Sequence, residues 1–296
     1  MRKKTVSLVL GSGGARGYAH IGVIDVLEKA GYEIRSISGS SMGALVGGLY
    51  AAGKLNDYRE WVLSLDMLSV LKLVDFSFAT TGFIKGDKVF DVLETIVGKN
   101  IKIEDLPIDY TAVATDIDTQ KEVWFQEGDL LNAIRASIAI PTIFTPIRSE
   151  KHLLVDGGIL NPLPTVPLLS DTNDMLIAVN LNGERKADKI VKQESETEGG
   201  IQQKITEFIQ KNFFEEKREE EINYFTIVSK TIETMQNLIT RYELAAHQPD
   251  IVINIPKNLC GFYEFHEAEM IIDYGRKVAK EAISEYQKLE KLPENN

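Results

Sequence analysis

The chain has 296 residues, 44% of them hydrophobic and 26% charged, enough for one large domain or two small ones around a sizeable core. Its formal net charge of −11, with no basic face evident, excludes nucleic acid as a natural partner and argues against simple electrostatic adhesion to anionic lipid. Cys260 is the only cysteine, so no internal disulfide can form, and no run is long and apolar enough for a membrane span; a cytoplasmic protein is expected, peripheral to the inner membrane surface where it meets membrane at all.

Thr5 to Leu10 is a short, β-branched run without polar alternation, which predicts a strand buried on both faces of a parallel sheet. The glycine-rich loop Gly11 to Gly17 follows at once, then a helix over Tyr18 to Ala30 closed by Gly31. Glu33 to Ser38 predicts a second strand. Gly39-Ser40-Ser41-Met42-Gly43 comes next, and Ala44 to Ala52 predicts a helix. These first fifty residues therefore predict an α/β fold with right-handed crossovers.

Asn56 is a candidate cap for a helix reaching Leu65. Met67 to Phe78 is apolar with little clean periodicity. It suits a helix packed on the core or a flap over an apolar site. Helices are predicted over Asp87 to Val97 and Leu130 to Ser137. Asp109 to Thr115 and Lys121 to Phe125 predict a hairpin. Leu153-Leu154-Val155 predicts a strand ending in Asp156-Gly157-Gly158, and Met175 to Leu181 another. Gly183 to Gly200 is polar and predicts a linker, and Ile201 to Ala246 predicts two helices. A strand over Asp250 to Ile255 and a helix over Ala268 to Leu289 close the chain. The expected organisation is a catalytic core over 1–183, a linker with a helical insertion over 184–246, and a strand and helix over 247–296 that complete the core.

Three stretches can carry chemistry. Gly39-Ser40-Ser41-Met42-Gly43 has the Gly-x-Ser-x-Gly form between a strand and a helix, the setting that lifts a serine hydroxyl out of a tight turn. The glycine loop leads into a helix N-terminus, where free N–H groups attract a phosphate or the oxyanion of a tetrahedral intermediate. A dinucleotide fingerprint fails, because Arg16 stands at its sixth position, and no Gly-Lys-Ser/Thr follows. A serine nucleophile also needs a base. His20, His152, His247 and His266 sit in plain helical or loop contexts. Asp156 ends an apolar strand at a tight turn, where the carboxyl edge of an α/β sheet places its sites. A carboxylate can serve as base where its surroundings raise its pKa.

The glycine block with Tyr18-Ala19-His20-Ile21-Gly22-Val23, the Gly-Ser-Ser-Met-Gly turn and Asp156-Gly157-Gly158, in this order, resemble the patatin-like phospholipases, in particular the bacterial branch similar to neuropathy target esterase. Lys85-Gly86-Asp87, Ala114-Thr115-Asp116, Ile134 to Ser137 and Val155 to Pro164 extend the resemblance over most of the chain, excepting about 184–241. It implies a patatin-like three-layer α/β/α fold with a largely parallel central sheet and a helical insertion. It implies a serine esterase acting on phospholipid or lysophospholipid acyl chains through a Ser41–Asp156 dyad and an acyl-serine intermediate. Gly13, Gly14, Ala15 and Arg16 would form the oxyanion hole. Gly39, Gly43, Gly157 and Gly158 would shape the turns. No metal or other cofactor is implied, and the expected partner is a lipid or lysolipid ester. One departure is Ser12, where many members have glycine. Two alternatives stay open at this point: a histidine-assisted hydrolase or acyltransferase using His247 or His266, and a non-enzymatic regulatory protein with a degenerate lipid site.

Overall fold

The structure, a computed structural model, describes residues 2–73, 86–141, 144–148, 152–185 and 224–291. Thr5–Leu10 (β1) lies inside an eight-stranded sheet and is buried on both faces. It pairs in parallel with Glu33–Ser40 (β2) on one side and with Met175–Gly183 (β7) on the other. Ile251–Pro256 (β8) adds in parallel beyond β7, and Asp109–Asp116 (β3) in parallel beyond β2. The remaining strands are antiparallel. Lys121–Phe125 (β4) forms a hairpin with β3, Leu153–Asp156 (β6) also pairs with β3, and Ile147–Arg148 (β5) pairs with β6.

Alternate residues of β1 feed two cores. Val6, Leu8 and Leu10 join the larger one, under the helices Ala19–Lys29 (α1), Met42–Ala51 (α2), Leu55–Leu63 (α3), Asp87–Val97 (α5) and Ala268–Glu290 (α8). Val9 joins Leu163, Leu168 and Ala178 on the opposite face, with Leu244 of the helix Tyr224–His247 (α7) packed against them. Met67–Leu73 (α4) and Leu130–Ser137 (α6) complete the helices. Helices α1 and α8 cross in backbone contact. A Cβ on Gly22 would lie 2.1 Å from the Ile272 carbonyl oxygen, and one on Gly275 2.3 Å from that of Ala19.

Several boundaries differ from those expected. β2 continues to Ser40, and α2 begins at Met42 rather than Ala44. Asn56 lies inside α3 and does not cap it; Lys54 precedes the helix without a side-chain cap. The helix expected from Tyr18 is entered through a 3-10 turn, Gly14–Tyr18. Of the apolar run Met67 to Phe78, the first seven residues are α4 and the rest lie outside the described residues, as do Lys85, 186–200 of the linker and 201–223 of the helical segment.

The direction of β6 is left open by the sequence, because its short apolar run looks the same whichever way it pairs. It runs antiparallel to β3. β4 occupies one edge of β3 along Ala112 to Asp116, so β2 and β6 share the other. β2 takes that edge up to the Ser40–Val113 pair, and β6 takes it from the Ala114–Asp156 pair onward. The two strands therefore meet end to end, pointing at each other, at consecutive rungs of β3.

Candidate active site

The residues at that junction are Ser41, first after β2, and Asp156, last of β6. The Ser41 hydroxyl donates to Asp156 Oδ2 at 2.5 Å. The Gly158 N–H donates to Asp156 Oδ1 at 2.7 Å, and the Asp156 N–H to the Ala139 carbonyl at 2.9 Å. Both side chains are buried, Ser41 at 2% exposure and Asp156 at 4%. Burial disfavours the carboxylate, and its bonds from Ser41 and Gly158 offset only part of that cost. The carboxyl is pushed up to about 7.

Ser41 adopts φ 56°, ψ −125°, a conformation few non-glycine residues take. Its neighbours hold it there. The Ser41 N–H donates to Ser137 Oγ at 3.0 Å, and the Ser137 hydroxyl donates to the Val113 carbonyl at 2.6 Å. The turn also needs its glycines. A Cβ on Gly43 would lie 2.0 Å from the Leu10 carbonyl oxygen, and one on Gly39 2.4 Å from the Gly43 carbonyl carbon. On the other side of the junction a Cβ on Gly157 would lie 2.0 Å from the Val113 carbonyl oxygen. These are backbone atoms that cannot step aside, so Ser41 and Asp156 meet only because the turns around them carry no side chains.

The glycine loop completes the surroundings, and its amides divide into two groups. Gly11 N–H donates to Val179 O at 3.0 Å, Ser12 N–H to Pro162 O at 2.8 Å, and Ala15 N–H to Phe262 O at 2.9 Å. Ala15, expected among the oxyanion donors, thus has its amide committed elsewhere. The consecutive N–H groups of Gly13 and Gly14 have no acceptor among the described residues. Gly14 lies at φ +57°, where adjacent amides form an anion-binding concavity.

Arg16 sits behind this pair. Its guanidinium is buried, with Nε donating to the Gly13 carbonyl at 3.2 Å and Nη1 to the Lys257 carbonyl at 2.6 Å. In a trans peptide the carbonyl and the following N–H point in opposite directions. By holding the Gly13 carbonyl, Arg16 turns the Gly14 N–H away from itself. Ser12, the departure from glycine, fits because the residue opposite has no side chain: a Cβ on Gly158 would lie 2.6 Å from Ser12 Oγ.

The histidines have other partners. His20 is fully buried, bonds the Gly11 carbonyl through Nε2 at 2.9 Å, and is pushed down to about 4 by burial, so it braces the loop in its neutral form. His152 Nδ1 bonds Asp116 at 2.7 Å. His247 lies 3.6 Å from Glu243, and His266 3.6 Å from Glu267. Among the described residues the Ser41 hydroxyl bonds Asp156 and no histidine. No cluster of three or more His, Cys, Asp or Glu side chains among them is arranged to hold a metal ion.

Ser137 is a side chain of this arrangement to which sequence reasoning gave no role. It ends α6, is buried, and falls in the Ile134 to Ser137 block that extends the resemblance.

Residues 8–169 match the patatin-like phospholipase family model. An uncharacterized NTE family protein of Mycobacterium tuberculosis is 38% identical over 332 aligned positions, covering 95% of this chain and 92% of that protein. Patatin-like phospholipase domain-containing protein 6 of Mus musculus is 35% identical over 62% of this chain, which spans only 14% of it. Among solved structures, VipD of Legionella pneumophila is similar in fold, with a TM-score of 0.53 at 14% identity over 95% of this chain and 67% of VipD. The family match runs from the glycine loop through both turns of the strand junction, and the mycobacterial relative aligns nearly end to end: the chain belongs to the patatin-like phospholipase family.

Proposed function

We propose that the protein is a carboxylic ester hydrolase acting on phospholipid or lysophospholipid acyl chains through a Ser41–Asp156 dyad. The observation that carries this reading is the 2.5 Å bond from the Ser41 hydroxyl to Asp156 Oδ2. The carboxyl has been raised to about 7, which fits it to exchange a proton near neutral pH.

Ser41 Oγ attacks the ester carbonyl carbon and its proton passes to Asp156. The carbonyl oxygen, now negative, lies against the Gly13 and Gly14 N–H groups. The C–O bond to the leaving alcohol breaks, Asp156 returns its proton to that oxygen, and an acyl-Ser41 ester remains. Water then attacks the acyl carbon and gives its proton to Asp156; as the second tetrahedral species collapses, the C–O bond to Ser41 breaks, Asp156 returns that proton to Ser41 Oγ, and the fatty acid is released. Asp156 Oδ1 stays on the Gly158 N–H, leaving Oδ2 to handle the proton.

The test is hydrolysis of a short p-nitrophenyl ester and of a lysophospholipid by wild type, Ser41→Ala and Asp156→Asn, each with a thermal melt to establish folding. Ser41→Ala is expected to lose at least about 10³-fold in kcat, and Asp156→Asn about 10²- to 10⁴-fold. Full activity in folded Asp156→Asn would return the role of base to a histidine. Absence of wild-type turnover on both esters would favour the non-enzymatic reading.

A further inference from the structure

Helix α7 separates its side chains into two unlike faces. Its inner face rests on the loops of the candidate site. Gln236 Nε2 donates to the Gly158 carbonyl at 3.0 Å, Glu233 lies 3.8 Å from Arg16, and Glu243 Oε2 accepts from the Thr165 hydroxyl at 3.0 Å. Thr240 between them is buried. These positions recur every three or four residues, one side of a helix.

The outer face is mainly apolar, with exposed Thr231 the polar residue within it. Ile227, Met235, Leu238 and Tyr242 fall on a single stripe nearly opposite, and each is 47–67% exposed. Four of the ten large hydrophobic side chains exposed among the described residues lie on this one helix. Isolated exposed apolar residues are ordinary, but a stripe is not.

Charge distinguishes the occupants this stripe could take. The chain as a whole carries −11, yet both acidic residues of α7 belong to its inner contacts. The charged residues on its exposed side are Lys230 and Arg241, both along one edge of the stripe. A second copy docking antiparallel by the same face would set this cationic edge against its own copy. An apolar stripe edged by cations instead suits a helix lying in the interface of an anionic bilayer.

We propose that the outer face of α7 is a docking surface for anionic lipid, with Ile227, Met235, Leu238 and Tyr242 entering the acyl boundary and Lys230 and Arg241 meeting the phosphates. Because the inner face touches Gly158, Thr165 and Arg16, docking would place the candidate site directly behind the membrane contact. The purpose of the surface rests on the lipid hydrolase reading; its existence does not, and the two are measured separately.

The experiment is sedimentation of the full chain carrying Ser41→Ala with vesicles of phosphatidylglycerol and phosphatidylethanolamine, and with phosphatidylcholine vesicles. The same background then receives Met235→Gln with Leu238→Gln, or Lys230→Gln with Arg241→Gln. Binding to the anionic vesicles is expected to weaken at least tenfold in the first pair. In the second it should weaken about fivefold per cation lost, with little change on phosphatidylcholine. Made on the wild-type background, both pairs should hydrolyse a short p-nitrophenyl ester within twofold of wild type and melt as it does.

Three results would each overturn the proposal: no binding of the parent chain to the anionic vesicles, equal binding by all variants, or a parent dimer that becomes monomeric with Met235→Gln and Leu238→Gln. An inactive wild type whose vesicle binding still follows these substitutions would remove the hydrolase reading and leave the docking surface standing.

Discussion

The Ser41 backbone N–H and the Ser137 hydroxyl are joined at 3.0 Å, and through Ser137 the strained residue is tied to the Val113 carbonyl of β3. One side chain thus spans the turn after β2 and the strand on which β2 and β6 meet. Ser137→Ala removes the acceptor from one buried N–H and the donor from one buried carbonyl. A loss of about 1–3 kcal/mol in stability is expected. With φ at Ser41 no longer held, kcat on a soluble ester should also fall about tenfold. Thermal melts and steady-state kinetics check both. An unchanged kcat in a destabilised variant would make Ser137 purely structural.

The pH dependence of hydrolysis follows from the environment of Asp156. A base must be ionised to take the serine proton, and this carboxyl ionises at about 7 because burial opposes its charge. The kcat/KM for a neutral ester is therefore expected to fall tenfold per pH unit below about 7 and to level off above it. A profile flat down to pH 5 would sink the assignment of Asp156 as a base with that pKa.

The same group should cost the fold stability in alkali. The folded protein holds the Asp156 proton more tightly than the unfolded chain, whose carboxyl titrates near 3.8. The associated stability is present below 3.8 and is lost as pH rises through about 7, a cost of up to about 4 kcal/mol when both states are ionised. Asp156→Asn removes that cost. Its melting temperature should exceed that of wild type by several degrees at pH 8, and the gap should close towards pH 4. Equal melting temperatures at pH 8 would contradict the raised pKa.

Arg16 offers a test of how the loop is held. Its guanidinium bonds the Gly13 and Lys257 carbonyls with two nitrogens of one planar group. A lysine keeps the charge and lacks that geometry. For Arg16→Lys the expected result is a tenfold or greater fall in kcat with KM changed less than threefold, if the Gly14 N–H acts on the transition state as proposed. If KM rises and kcat holds, Arg16 serves substrate binding instead of loop orientation.

The legible part of the site is the part written in neighbouring residues. Ser41 and Asp156 each end a β-prone run and each enter a glycine turn, so local chemistry marks them both. Their meeting is not local. It depends on β3 lending one edge to β2 and then to β6, and Leu153-Leu154-Val155 has no feature that distinguishes antiparallel from parallel pairing. The fate of the Ala15 amide depends likewise on Phe262, far along the chain. The start of α2 was misplaced because Gly43 is a poor helix former. It is helical here since only a residue without Cβ passes the Leu10 carbonyl. Strands β1 and β4, the helix at 87–97 and the last helix, all strongly patterned, fall within a residue of expectation.

The clamp on the glycine loop has a consequence for biosynthesis. Arg16 and its Lys257 acceptor are 241 residues apart in sequence, and the acceptor for Ala15 lies further still. At ribosomal speeds the second half of the clamp follows the first by about 10–50 s. During that interval Ser41, the proposed nucleophile, has been made and the Gly13–Gly14 amides proposed as oxyanion donors are not yet fixed. A nascent or prematurely terminated chain therefore carries Ser41 without a finished site, and the arrangement proposed for catalysis is assembled only after the last strand has joined the sheet.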